Sequence, residues 1–253
     1  MVKKRTKAGR AALIASLRRQ TGSEAEPTTS SRLRLGCKAV DDCLKSGLAV
    51  GALHEVEAAD HRANPAALGF LLVLAHLAGA ARCGPLIWPI ERKQAAFGRP
   101  YGPGLKHFGL DPGRIVFLRC QHGTDALWAM EEGLRIGGIA AVVGTRPMHM
   151  DLTASRRLQL AAEATATPVF LLRTHEDQAA SVAVTRWRVA PYSAVRDRHG
   201  FFSAPRWQVA LDRVRGGRTG DWIMEWDHEA LCLRLPAGLG SGALQESDSR
   251  SAA

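Results

Sequence analysis

The chain has 253 residues, 46% of them apolar, and 34 Lys and Arg against 24 Asp and Glu give it a formal charge of +10 and a pI near 10. That is enough for one α/β domain of about 150 to 200 residues plus arms, and the charge favours a polyanionic neighbour, nucleic acid first and a membrane surface second. The five cysteines (Cys37, Cys43, Cys83, Cys120, Cys232) form no CxxC and the nine histidines no HxxxH or HExxH pair, which excludes a disulfide frame or a zinc site and fits reduced thiols in a cytoplasmic protein.

Residues 1–20 read as a basic arm. Lys3, Lys4, Arg5, Lys7, Arg10, Arg18 and Arg19 stand there without an acidic residue between positions 3 and 19. Ala11, Ile14 and Leu17 fall on one helical face, so Arg10, Leu13, Ile14 and Leu17 are candidate partner contacts, with a solvated, partly disordered arm as the alternative. The apolar part is too short for the core of a signal peptide. Residues 21–32, rich in Ser, Thr and Glu with one Pro, form a linker.

The core, residues 33–190, opens on a turn at Gly47 to Gly51, a short buried strand at 52–56 and, from Ala66, an apolar helix. The helix holds His76 and two Gly within 66–81 and is shorter than the roughly 20 residues of a membrane span, so it reads as a core helix and no membrane is expected. Strand, tight loop and core helix are the frame of a phosphate-binding loop, in which GxxxxGK[ST] supplies amides, a Lys and a hydroxyl. Here the loop is Glu57-Ala58-Ala59-Asp60-His61-Arg62-Ala63-Asn64-Pro65, with no Gly, Lys, Ser or Thr. The frame is kept and its phosphate chemistry is absent.

Further strands follow at 85–90, 115–118, 139–143 and 168–172. A helix capped by Thr124 is predicted with Leu127, Met130 and Leu134 on one face and an i,i+4 pair of Glu131 and Arg135 on another. A second helix, 152–165, buries Leu158, Ala161, Ala162 and Thr165 and exposes Arg156, Arg157 and Glu163. The alternation predicts a mostly parallel sheet flanked by helices. No acidic residue stands at 140–146 to hold Mg²⁺. Glu91, after the second strand, could activate a water, but without a phosphate cradle it is given no catalytic role. No catalytic residue, cofactor or metal is expected, and a divergent ATPase using Arg62 is a minor alternative.

A strand at 182–189 leads into residues 191–236, which read as an antiparallel meander with Trp207, Val209 and Leu211 on one side and Gln208, Ala210 and Asp212 on the other. Between positions 186 and 218 stand eight arginines (Arg186, Arg188, Arg196, Arg198, Arg206, Arg213, Arg215, Arg218) against two aspartates, among Trp187, Tyr192, Phe201, Phe202 and Trp207. Cations for a backbone and rings for bases suit single-stranded nucleic acid. The competing reading makes most of these rings core and the arginines an outward polar face. Residues 237–253 read as a disordered tail.

In their order the phrases VDDCLKSGLAVGALHEV, ALWAMEEGLR, RRLQLAAEATATPVFLLR and TRWRV resemble the ImuA family, over roughly Leu33 to Pro236. The resemblance implies a RecA-like, P-loop-type α/β fold without a working nucleotide site. It also implies a role as non-catalytic accessory in SOS-induced translesion DNA synthesis, with a catalytically inactive Y-family-like polymerase homologue and a DnaE-type polymerase as partners. A module acting on single-stranded DNA or on a RecA filament is the alternative.

Overall fold

The structure, a computed structural model, describes residues 32–92, 100–145, 150–173, 176–177, 179–193 and 204–236. The predicted contacts Arg10, Leu13, Ile14 and Leu17, the tail, and Arg196, Arg198, Phe201 and Phe202 lie outside the described residues.

The chain enters through β1 (Arg32–Leu33), which pairs antiparallel with β2 (Leu48–Ala49) around the short helix α1 (Lys38–Cys43). The core strand β3 (Leu53–Ala58) feeds a 3-10 turn, His61–Ala63, and then α2 (Asn64–Ala81), whose first turn takes Pro65, where the missing N–H costs nothing. Next come β4 (Leu86–Glu91), α3 (Gly102–His107), β5 (Ile115–Cys120), α4 (Gly123–Ile136), β6 (Ala141–Thr145), α5 (Leu152–Thr165) and β7 (Val169–Arg173). The chain then runs through β8 (Thr185–Tyr192), β9 (Arg206–Val214), β10 (Gly220–Asp227) and β11 (Cys232–Arg234).

Strands β3 to β11 form one sheet in the order β11-β10-β9-β8-β3-β7-β6-β4-β5. From β8 to β5 the pairing is parallel, and from β8 to β11 it is antiparallel. The fold is therefore α/β with a mostly parallel, helix-flanked sheet, and the meander continues that same sheet.

Each face has its own core. On one face α2 buries Phe70, Leu71, Val73 and Leu74 against Val56, Phe170, Trp187, Val189, Trp207 and Val209. Gly69 lets the helix approach so closely that a Cβ there would lie 3.1 Å from the Trp207 ring. Residues His61–Ala81 are long and apolar enough to cross a membrane, but this helix is packed on the sheet and spends its apolar surface there. On the other face α4 and α5 cover Leu53, Ile87, Val142, Val169 and Leu171.

One local expectation changes. Thr124 is not the cap of α4: the amides of Asp125 and Ala126 both bond the carbonyl of His122, so the helix opens earlier and Thr124 lies exposed in its first turn. The expected pair of Glu131 with Arg135 is present at 3.6 Å, and Glu131 is buried because α5 packs across it, where Arg157 reaches its carboxylate at 2.5 Å.

His54, fully buried on β3, ties β2 to β8. Its Nε2 lies 2.8 Å from the Ala49 carbonyl, which can only accept, and its Nδ1 2.8 Å from the Thr185 hydroxyl, which itself accepts from Trp187 Nε1–H at 3.0 Å. These partners assign the neutral Nε2–H tautomer. Burial pushes the imidazole down from 6.5 to about 4. Above about pH 6.5 the ring is neutral in folded and unfolded chains alike. As pH falls from there towards 4, the unfolded chain takes up a proton that the folded chain refuses, so stability is lost, by about 3 kcal/mol once complete. Denaturant titrations across that window should show a smaller loss for His54→Gln than for the parent, and an equal loss would assign the proton uptake to other groups.

Candidate functional site

The loop between β3 and α2 is closed by its own carboxylate. Asp60, in extended backbone, accepts the amides of Arg62 at 2.8 Å and Ala63 at 2.9 Å through Oδ1, while the Ala59 amide donates to the Val189 carbonyl at 2.9 Å. The amides at this helix entrance are therefore taken by an internal anion, where a phosphate cradle would leave them open. The Arg62 side chain is exposed. Glu91 ends β4, three strand positions from β3 across β7 and β6, about 14 Å at the usual strand spacing.

Beside the loop, β3 carries Glu55 and Glu57 on the α4/α5 face. Glu55 is fully buried, and its Oε2 accepts from Arg173 at 2.8 Å, from the Ser181 hydroxyl at 2.8 Å and from Arg186 Nε and NH2 at 3.3 and 3.2 Å. Arg173, only 1% exposed at the end of β7, also donates to the carbonyls of Asp177 and Ala179 and lies 3.8 Å from Glu57. Burial pushes the Glu57 carboxyl up, against the opposing pull of Arg173 and Arg186. The network fixes the crossover from β7 to β8, whose Val182 and Val184 amides bond Ser155 Oγ and the Leu53 carbonyl.

This register accounts for most of the described arginines predicted as nucleic-acid contacts. Arg186 serves Glu55. Arg188 grips Asp212 with two bonds, 2.8 and 3.1 Å, and the carboxylate raises its pKa. Arg206 pairs with Glu225, and Arg213 donates to the Ser181 carbonyl at 2.9 Å. Trp187 and Trp207 are buried in the α2 core and cannot stack on bases, whereas Tyr192 is exposed. Arg215 and Arg218 are exposed at the β9–β10 turn with no ion pair among the described residues. Sequence reasoning missed Arg173 and Lys45. A buried Arg ending an apolar run, as in VFLLR, was the available signal for the first.

The sheet and this loop define a mixed α/β protein whose strand–loop–helix unit binds its own carboxylate at the helix entrance. No family model matches the chain. It is 31% identical over 213 residues to Protein ImuA of Caulobacter vibrioides, in two strains, a match covering 78% of this chain and 84% of that protein. The chain belongs to the ImuA family.

Removing one member of the buried network leaves an uncompensated charge. Arg173→Met should therefore destabilise the fold by about 3 to 5 kcal/mol. Glu55→Gln combined with Arg173→Met should cost clearly less than the sum of the single changes, as a double-mutant cycle by denaturant titration would measure. Additive losses would mean that the two side chains do not act as a unit.

Proposed function

We propose that this chain is a non-catalytic, cytoplasmic adaptor in damage-induced mutagenic DNA synthesis. In this reading the RecA-like core is a platform bridging a catalytically inactive Y-family-like protein and a DnaE-type error-prone polymerase. Membership of the ImuA family supports the mutagenesis context. The observation that carries the non-catalytic part is Asp60 Oδ1 on the amides of Arg62 and Ala63. A phosphate entering this loop would have to displace a carboxylate tethered two and three residues away, and would meet Asp60 as a like charge. The loop sequence supports the same conclusion, since it has no Lys to neutralise a phosphate and no hydroxyl to hold Mg²⁺.

The RecA-type reading of the core draws support from β3, the loop-bearing strand, lying inside the parallel region between β7 and β8 and passing directly into a core helix. The buried pair of Glu55 and Arg173 supports a rigid platform, because both charges are spent within the fold.

Affinity capture of the tagged chain from DNA-damaged cells, with and without nuclease, tests the adaptor role. Polymerase-type partners should persist after nuclease, and their disappearance with the nucleic acid would end the bridging proposal. Calorimetric titration with Mg-ATP should give no saturable heat. Hydrolysis of ATP that is lost in Glu91→Gln would overturn the non-catalytic assignment.

A further inference from the structure

Part of the charge that the fold leaves without an ion pair stands where two turns meet. The β9–β10 turn lies on the turn that ends α1: the Arg218 amide donates to the Cys43 carbonyl at 3.0 Å, and a side chain on Gly217 would stand 2.2 Å from that same oxygen. Only a glycine permits this approach. Lys45 sits opposite, its Nζ 3.5 Å from where a Cβ on Gly216 would be. Lys45 and Ser46 hold left-handed backbone at φ 55° and 78°, which turns the chain sharply enough to set Lys45 beside the β9–β10 turn. Arg32 braces the same turn by donating to the carbonyls of Leu44 and Gly47 at 3.0 and 3.1 Å.

Lys45, Arg215 and Arg218 are exposed on these two abutting turns, with no ion pair among the described residues. Of the acids on α1, β9 and the start of β10, Asp41 accepts the amides of Leu35 and Gly36, Asp42 holds Lys38 at 2.7 Å and Asp212 holds Arg188, while the exposed Asp221 adds its field to that on Arg188. The large apolar side chains exposed among the described residues are Tyr101, Phe117, Leu152, Leu160, Tyr192, Leu231 and Leu235. None belongs to either turn, so the corner has no anchor for a protein hot spot or for the interior of a lipid layer.

We infer that Lys45, Arg215 and Arg218 form a contact site for the phosphate backbone of nucleic acid, independent of base sequence and separate from the polymerase-bridging role. Three unpaired cations match phosphate contact, which positions a nucleic acid without reading it. Trp187 and Trp207 are in the core and offer no stacking surface, so the site takes duplex and single strands alike.

Fluorescence anisotropy with the full-length chain and labelled duplex and single-stranded oligonucleotides of unrelated sequence, from low to physiological salt, tests the site. Three variants are compared with the parent. The corner is reversed by Lys45→Glu, Arg215→Glu and Arg218→Glu together. A control with the same change in net charge carries Lys106→Glu, Arg119→Glu and Arg156→Glu, three exposed cations on other elements. Alanine at the three corner positions guards against misfolding of the reversed chain, which thermal melting would reveal. Both corner variants should lower the magnitude of the slope of log affinity against log salt by roughly 2 to 3, the effect of about three phosphates on either strand type. The control should keep the parental slope. Equal losses in control and corner variants would reduce the effect to net charge and overturn the site. So would parental binding by the alanine variant, or loss confined to vesicles of phosphatidylglycerol while oligonucleotide binding persists.

Discussion

The buried carboxylate of Glu55 is the point on which the two halves of the sheet depend. A carboxylate carried to zero exposure in the middle of a parallel strand is strongly unfavourable unless several donors converge on it. Here two guanidinium groups and a hydroxyl meet one oxygen, and each comes from a different stretch: Arg173 from the end of β7, Ser181 from the crossover, Arg186 from the start of β8. The group therefore specifies more than it stabilises. Sliding β8 by one residue would turn Arg186 to the opposite face and bring Trp187 to Glu55 instead. Because β8 is also the strand on which the antiparallel extension is built, the position of β9, β10 and β11 follows from the same carboxylate.

The adjoining loop applies the same principle on a smaller scale. Backbone amides at a helix entrance must find acceptors, and in a phosphate-binding loop the ligand supplies them. In this chain Asp60 supplies them, so the loop is complete as it stands. In the loop an internal carboxylate takes the amides, and on β3 another takes two guanidinium groups.

The parts of this fold legible in the sequence were those set by local periodicity. The helix predicted at 152–165 is α5 as found, and each apolar run became a strand within a few residues of its expected limits. Strand alternation also placed Trp207, Val209 and Leu211 together on one side of β9, and all three are buried. Partnerships across the sheet were not legible. Arg188 meets Asp212 and Arg173 meets Glu55 over separations of 24 and 118 residues, and only strand register brings them together. Read along the chain, Arg186 to Arg218 look like one basic surface. Among the described residues that surface divides into committed cations, with Arg215 and Arg218 left over. Lys45 joins these two only because a left-handed turn at α1 faces the β9–β10 turn, a contact with no local signature.

The aromatic residues of the C-terminal third follow from the character of α2. A helix apolar nearly all round cannot be covered by the narrow strip of sheet that suits an amphipathic helix, and six parallel strands already divide their faces between α2 and the α4/α5 layer. Extending the sheet through β9 and β10 widens the surface available to α2. Trp187 and Trp207 pack against Phe70, with ring centroids 5.6 and 6.0 Å away. Trp226 lies against Phe108 and donates its indole N–H to the His107 carbonyl. The meander is therefore required by the core helix before it is available for any partner. Its rings belong to the interior, and its remaining capacity for recognition lies in the outward side chains and turns, where cations are free of the register that consumes the others.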